Sequence, residues 1–278
     1  MDPNIQSLYT EVEGRHLHYL TAGSGEGAPL LLLHGWPTSA FLWREILSKV
    51  SEKHRVIALD LPGFGKSDKQ LDDSFSFRYY SRAIDGFLKN LELEQVSLGV
   101  HDLGGPIGVY WMVQNMNKVA RLLLCNTLIY PQFSWAVKLF GLATFVPFVK
   151  DYLTSAAGIK FAIKLGVHQK EKLNDEIFKN YQWPFPDVQS RKVLLKAAQR
   201  LAVKGFEEIE EKLKTFKGPV QILYGEKDKI LPDVAKTMAR VKEDLPQASI
   251  TSYPNAGHFL QEEVSPEMSE VILAFMEK

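Results

Sequence analysis

The sequence predicts an α/β protein: a mostly parallel sheet flanked by helices on both faces, with one all-helical insertion. Three observations carry that expectation. Short apolar runs without polar–apolar alternation recur along the chain, as strands buried on both faces require. Helical patterns separate them at the spacing of a doubly wound sheet. From about 129 to 214 the strand-like runs stop.

The chain opens with SLYTEVEG and RHLHYLTAG, two alternating runs that predict a hairpin around Gly14 and Arg15. The buried-strand runs follow: PLLLLHG (29–35), RVIALDLPGFG (55–65), QVSLGVHD (95–102), VARLLLCN (119–126) and PVQILYGEKD (219–228). Helices are expected at SFRYYSRAIDGFLKNL (76–91), GGPIGVYWMVQNM (104–116), DVAKTMARVKEDL (233–245) and SPEMSEVILAFMEK (265–278). The helical, aromatic-rich stretch 129–214 is broken by VPF and WPFP. An insertion there reads as a cap over the carboxyl ends of the strands, where ligands bind in open α/β sheets. The expected division is a core of 1–128 and 215–278 and a helical cap of 129–214.

Composition excludes several classes. Thirty-three basic residues against 33 acidic ones leave no net charge, so nucleic acid is not an expected partner. The single cysteine, Cys125, excludes a disulfide framework and points to a reducing compartment and a small buried core residue. The N-terminus has no basic start and no apolar core of a signal peptide, so a cytoplasmic location is expected. No run reaches the roughly 18–20 apolar residues of a membrane span. The nearest, 133–149, is interrupted by Lys138 and Pro147. It reads as cap core, with a tunnel for an apolar substrate, a dimer face or a membrane-surface contact as its functional uses. No metal-ligand cluster and no phosphate-binding glycine loop is visible.

The chemistry centres on VHDLGG. Asp102 falls at a strand-to-helix junction with Gly104 and Gly105 behind it, the small residues that a sharp turn needs to project its apex side chain. No G-x-S-x-G occurs in the chain. A serine attacking an sp³ carbon would leave an inert ether; a carboxylate leaves an ester, whose carbonyl activated water can attack. An apex aspartate therefore suits alkylating electrophiles. YPNAGHFLQEE puts His258 in a small-residue loop before the last helix, and LYGEKDKILP puts Asp228 just past a strand. His258 would take a proton from water; Asp228 would fix its tautomer and stabilise the imidazolium. The backbone N–H groups of Trp36, in HGWP, and of Leu103 would hold the oxyanion. Taken singly, these residues have commoner uses as helix cap, turn former or core histidine. Their chain order and strand-end positions together point to catalysis. Asp60 is read as a turn organiser, and His34 and His101 as structural hydrogen-bonders. Asn126, an amide at a strand end, leaves the acid's role to Asp228.

On these residues the chain resembles the α/β-hydrolase superfamily along nearly its whole length, and within it the aspartate-nucleophile branch of haloalkane dehalogenases and epoxide hydrolases. HGWPTSAFLWREI, DLPGFGKSDK and VHDLGG are especially similar to the dehalogenase group. The resemblance implies an aspartyl-ester mechanism without a cofactor, on a small apolar substrate under a helical cap. Two positions depart from it. Dehalogenases carry Trp after the nucleophile, where its indole N–H holds the halide; this chain has Leu103. One large dehalogenase group has Asn where this chain has Trp36, so the Trp36 indole would have to substitute. A lost donor costs a transition state on the order of 2–4 kcal/mol. Epoxide hydrolases also carry Trp after the nucleophile, but take their ring-opening acid from cap tyrosines, for which Tyr130, Tyr152 and Tyr181 are the candidates. An epoxide hydrolase-like reaction therefore suits the sequence best. The alternatives are a haloalkane dehalogenase proper, a β-lactone-directed lyase and a non-enzymatic binding protein on the same fold.

Overall fold

The strands of the sheet are β1 (Gln6–Val12), β2 (Arg15–Ala22), β3 (Leu30–Leu33), β4 (Val56–Leu59), β5 (Val96–Asp102), β6 (Val119–Thr127), β7 (Val220–Gly225) and β8 (Ser249–Tyr253) in a computed structural model that describes residues 2–277. They pair in the order β1-β2-β4-β3-β5-β6-β7-β8. Only β2 runs antiparallel to its neighbours β1 and β4; the other pairs are parallel. All four leucines of β3 are buried, as are all residues of β4 and β5. Each such leucine contributes roughly 1.5–3 kcal/mol of transfer free energy, which is why these runs show no alternation.

One local expectation is corrected, and one strand lies outside the apolar runs. The hairpin pairs Val12 with Arg15, so its turn is Glu13–Gly14 rather than Gly14–Arg15. Both turn residues have positive φ, 49° and 74°, as a two-residue turn with matched twist requires. The eighth strand, SITSY, has no apolar run to mark it. It is an edge strand with exposed and half-buried residues, so burial exerts no selection on it.

Helices Arg44–Val50 and Ser265–Met276 pack together on one face of the sheet; Phe77–Asn90 and Gly104–Gln114 pack on the other. Ser76 caps the third of these, its hydroxyl accepting from the Tyr79 N–H. Between β6 and β7 the described residues form helices and no strand. The last of these, Val203–Lys212, falls inside the cap by the division at 214. It packs on Gly104–Gln114, with Phe206 edge-on to Phe77. A Cβ at Gly205 would strike the Phe77 ring, so that contact depends on glycine.

Candidate active site

Asp102 is the last residue of β5, and its φ is 49°. A non-glycine residue in the left-handed region is strained, and here neighbours hold it there. The Thr127 hydroxyl donates to the Asp102 carbonyl at 2.7 Å. Gly105 leaves room for that hydroxyl, since a Cβ there would overlap it. Gly104 lies against the backbone of Leu33 and His34, and Gly35 against the Asp102 side chain itself; a Cβ at either would collide. The elbow is therefore built by three glycines, one of them on a different strand end.

Three strand ends bring the ionisable groups together. The Trp36 N–H donates to Asp102 Oδ1 at 2.7 Å. His258 Nε2 lies 3.4 Å from Asp102 Oδ2, and His258 Nδ1 donates to Asp228 Oδ2 at 2.8 Å. The Ile230 and Leu231 N–H groups both donate to Asp228 Oδ1 at 2.8 Å. Among the described residues His258 Nε2 has no hydrogen-bond partner. All three side chains are buried.

Burial opposes charge on each of them, and their mutual interaction wins. The charge of His258, 3.4 Å away, with help from His101 and the Leu103 N–H, holds Asp102 below the usual carboxylate range. His258 does the same for Asp228, joined by the Leu231 N–H and the Asn126 amide. Against its own desolvation, His258 is raised to about 10 by Asp228 and Asp102. The sign for stability follows. His258 stabilises the fold fully below its unfolded pKa of about 6.5, and that contribution is lost as pH rises through about 10. The two depressed carboxylates contribute above about 3.9 and lose their contribution as pH falls below it. The urea midpoint is accordingly expected to fall between pH 9 and 11 by more in the native chain than in His258→Ala; equal losses would contradict the linkage.

The structure also shows what pattern reading passed over. Asn126, at φ 31°, donates from Nδ2 to Asp228 Oδ2 at 2.7 Å, and its Oδ1 accepts from the Gly225 N–H at 3.1 Å. It thus positions the acid rather than replacing it. His101 donates from Nε2 to the His258 carbonyl at 2.9 Å. His34 donates to the Gly35 carbonyl and accepts from the Leu61 N–H. Asp60 gathers the Ala40 N–H, the Lys66 N–H and His18 Nδ1, which orders the turn after β4. Cys125 is buried in β6. The only advance signal for Asn126 was its position at a strand end.

Three of the four expected substrate-side donors, Trp36, Tyr130 and Tyr181, are engaged elsewhere. The Trp36 indole donates to the Leu194 carbonyl at 3.2 Å. The Tyr130 hydroxyl donates to Asp244 Oδ2 at 2.8 Å, under the Arg240 guanidinium. The Tyr181 hydroxyl donates to Glu262, which also holds Arg44 through two bonds of 2.7 Å. Tyr152 is half exposed beside Phe161. Each of the two buried phenols found a nearby carboxylate, which satisfies a buried O–H better than an apolar site can.

The cap is tied to this centre at several points. The His258 N–H donates to the Gly166 carbonyl at 2.7 Å. The Glu263 carboxylate accepts from the Gly257, His168 and Gln169 N–H groups, each at 2.8 Å. Phe140 packs against the Trp36 ring with centroids 4.9 Å apart.

A mostly parallel sheet with a carboxylate at a strand-to-helix elbow, then a second acid and a histidine in that chain order, is the arrangement of the hydrolases of the α/β fold. The family model for the alpha/beta hydrolase fold matches residues 28–264, and the chain belongs to that family. It is similar to haloalkane dehalogenase 2 of Mycobacterium tuberculosis, with 27% identity across 98% of this chain and 96% of that one. It is also similar to the soluble epoxide hydrolase of Corynebacterium sp. strain C12, with 36% identity across 45% of this chain and 43% of the other. Among solved structures, the haloalkane dehalogenase DbeA of Bradyrhizobium elkani superposes with a TM-score of 0.87 over 98% of each chain at 21% identity, which shows the shared fold. No helix among the described residues is long and apolar enough to cross a membrane.

Proposed function

We propose that this hydrolase forms a covalent ester on Asp102 with a small apolar electrophile and releases it with water activated by His258. The observation that carries this reading is the double engagement of one carboxylate. Asp102 Oδ1 accepts from the Trp36 N–H, and Oδ2 faces His258 Nε2. Oδ2 attacks the electrophilic carbon; the new C–O bond forms as the bond to the leaving group breaks and takes its electron pair. Oδ1 becomes the ester carbonyl, already on its oxyanion donor. Esterification removes the Asp102 charge that helps hold the proton on His258; that proton passes to the leaving group or to solvent, and the neutral imidazole is then a base in the step that needs one. It takes a proton from water, the hydroxide adds to the ester carbon, and the Trp36 and Leu103 N–H groups hold the oxyanion until the alkoxide departs with the proton His258 returns to it; the carboxyl proton left on Asp102 passes back to His258 and restores the carboxylate.

A second reading concerns the leaving group. An epoxide oxygen needs an acid, and Tyr130 and Tyr181 are bound to carboxylates. A halide needs a side-chain donor, and the Trp36 indole is bound to Leu194. A β-lactone opened at its sp³ carbon releases a carboxylate that spreads its own charge, and requires neither. These contacts favour the lactone over the epoxide. The test is intact-mass analysis of His258→Ala with separate pools of epoxides, haloalkanes and β-lactones. The expected result is an adduct on Asp102 from the lactone pool. An adduct from epoxides or haloalkanes alone would keep the ester mechanism and overturn the lactone preference. A folded protein without any adduct would overturn both.

A further inference from the structure

The helix Trp135–Ala143 buries none of its residues, and neither does the short helix Val149–Leu153 that follows it. Trp135, Leu139, Leu142, Phe145 and Val146 are all exposed, spaced as one helical face continued past its C-terminus. Phe148 is 87% exposed at φ 64°, a strained backbone for an aromatic residue, and no burial of its ring offsets the strain. Tyr152 and Phe161, in van der Waals neighbourhood, extend the patch to the next helix, Ala156–Gly166, whose exposed Leu165 adds to it. Contiguous apolar surface of this kind marks an interaction site.

The charges around the patch indicate what covers it. The chain as a whole is neutral, yet residues 133–170 hold five lysines, at 138, 150, 160, 164 and 170, against the single acid Asp151. Lys160 pairs with Asp175 at 3.4 Å; Lys138 and Lys164 are exposed, and among the described residues neither they nor Lys150 pair with a carboxylate. Lys138 lies in the exposed row between Trp135 and Leu142, and Lys164 between Phe161 and Leu165. Aromatic and aliphatic side chains set among unpaired lysines match an anionic bilayer surface: rings enter the headgroup–acyl boundary while ammonium groups stay at the phosphates. A second copy of this chain would bring lysine against lysine around the same apolar centre. The inner side of the patch is continuous with the site, since Phe140, on the same helix, packs on Trp36, whose N–H holds Asp102.

We propose that this face of the cap, from Trp135 to Leu165, docks the protein on anionic lipid membranes. The inference stands apart from the catalytic reading, because its test involves no turnover. The test is flotation of the full chain with phosphatidylcholine vesicles and with vesicles of phosphatidylcholine and phosphatidylglycerol in equal parts, at low and high salt. Binding to the anionic vesicles alone, weakened by salt, is expected. Phe145→Ser combined with Phe148→Ser should abolish it with an unchanged circular dichroism spectrum, since neither ring is buried. Lys138→Gln, Lys150→Gln and Lys164→Gln should each lower partitioning roughly fivefold. Equal retention on both vesicle types, or none on either, would overturn the proposal. So would a dimer in sedimentation that the phenylalanine variant dissociates while anionic vesicles bind neither form.

Discussion

Asp102→Asn is expected to lower turnover by roughly 10⁴–10⁶-fold, the scale for loss of a nucleophile that acts as part of a unit, while the fold persists. The amide has nearly the shape of the carboxylate, and its oxygen can still accept from the Trp36 N–H. The Thr127 hydroxyl still meets the backbone carbonyl of residue 102. Only the negative charge and its nucleophilicity are lost. His258 should register the change independently of any substrate. It is raised to about 10 by Asp228 and Asp102 together, and removal of the Asp102 charge, 3.4 Å from Nε2, should lower it by about one to three pH units. Imidazole NMR of the two proteins reads that directly. A variant with unchanged turnover would remove Asp102 from the mechanism. A variant without turnover but with an unmoved His258 would mean that the histidine does not sense the nucleophile's charge, and the proposed switch between the two steps would fall.

Gly35→Ala is expected to cost about 10²–10⁴ in kcat, although residue 35 carries no side chain and does no chemistry. A Cβ there would collide with Cβ and Oδ1 of Asp102. Asp102 cannot yield freely, since it is held at positive φ at a buried strand end. Either the carboxylate or the neighbouring Trp36 N–H must move. A displacement of about 1 Å in a catalytic group costs on the order of 10²-fold, and loss of an oxyanion donor costs about 10²–10³. The KM of a soluble probe substrate should change far less than kcat, because the collision lies beneath the carboxylate rather than in the cap. Stopped-flow separation of ester formation from hydrolysis would show both steps slowed. An alanine variant with normal kcat would mean that the elbow is more pliant than its packing indicates.

The apolar runs and the elbow were legible because burial and turn geometry leave local marks. Leu30–Leu33 reads as a buried strand because no solvent face exists to select polar residues. Asp102 stands out because small residues must follow a sharp turn. The edge strand Ser249–Tyr253 left no such mark, and neither did the packing of Val203–Lys212 on Gly104–Gln114. The tyrosines show the same limit. Tyr130 and Tyr181 were candidates by type and by place in the cap, but the partners that claim their hydroxyls, Asp244 and Glu262, lie 114 and 81 residues away.

By itself the sequence determined the fold class, the strand-end positions of Asp102, Asp228 and His258, and the choice of a carboxylate as the apex group. These are matters of residue type, order and local conformation. Tertiary structure alone decided which hydrogen-bond donors remain free. The Trp36 indole is spent on Leu194, the Asn126 amide on Asp228, and the Tyr130 and Tyr181 hydroxyls on distant acids. Tertiary structure also decided that Trp135, Phe145 and Phe148 face outward rather than into the cap. The physical reason is common to both: a buried polar group takes whichever partner the fold brings within reach, and an apolar residue is buried only if another surface arrives to cover it.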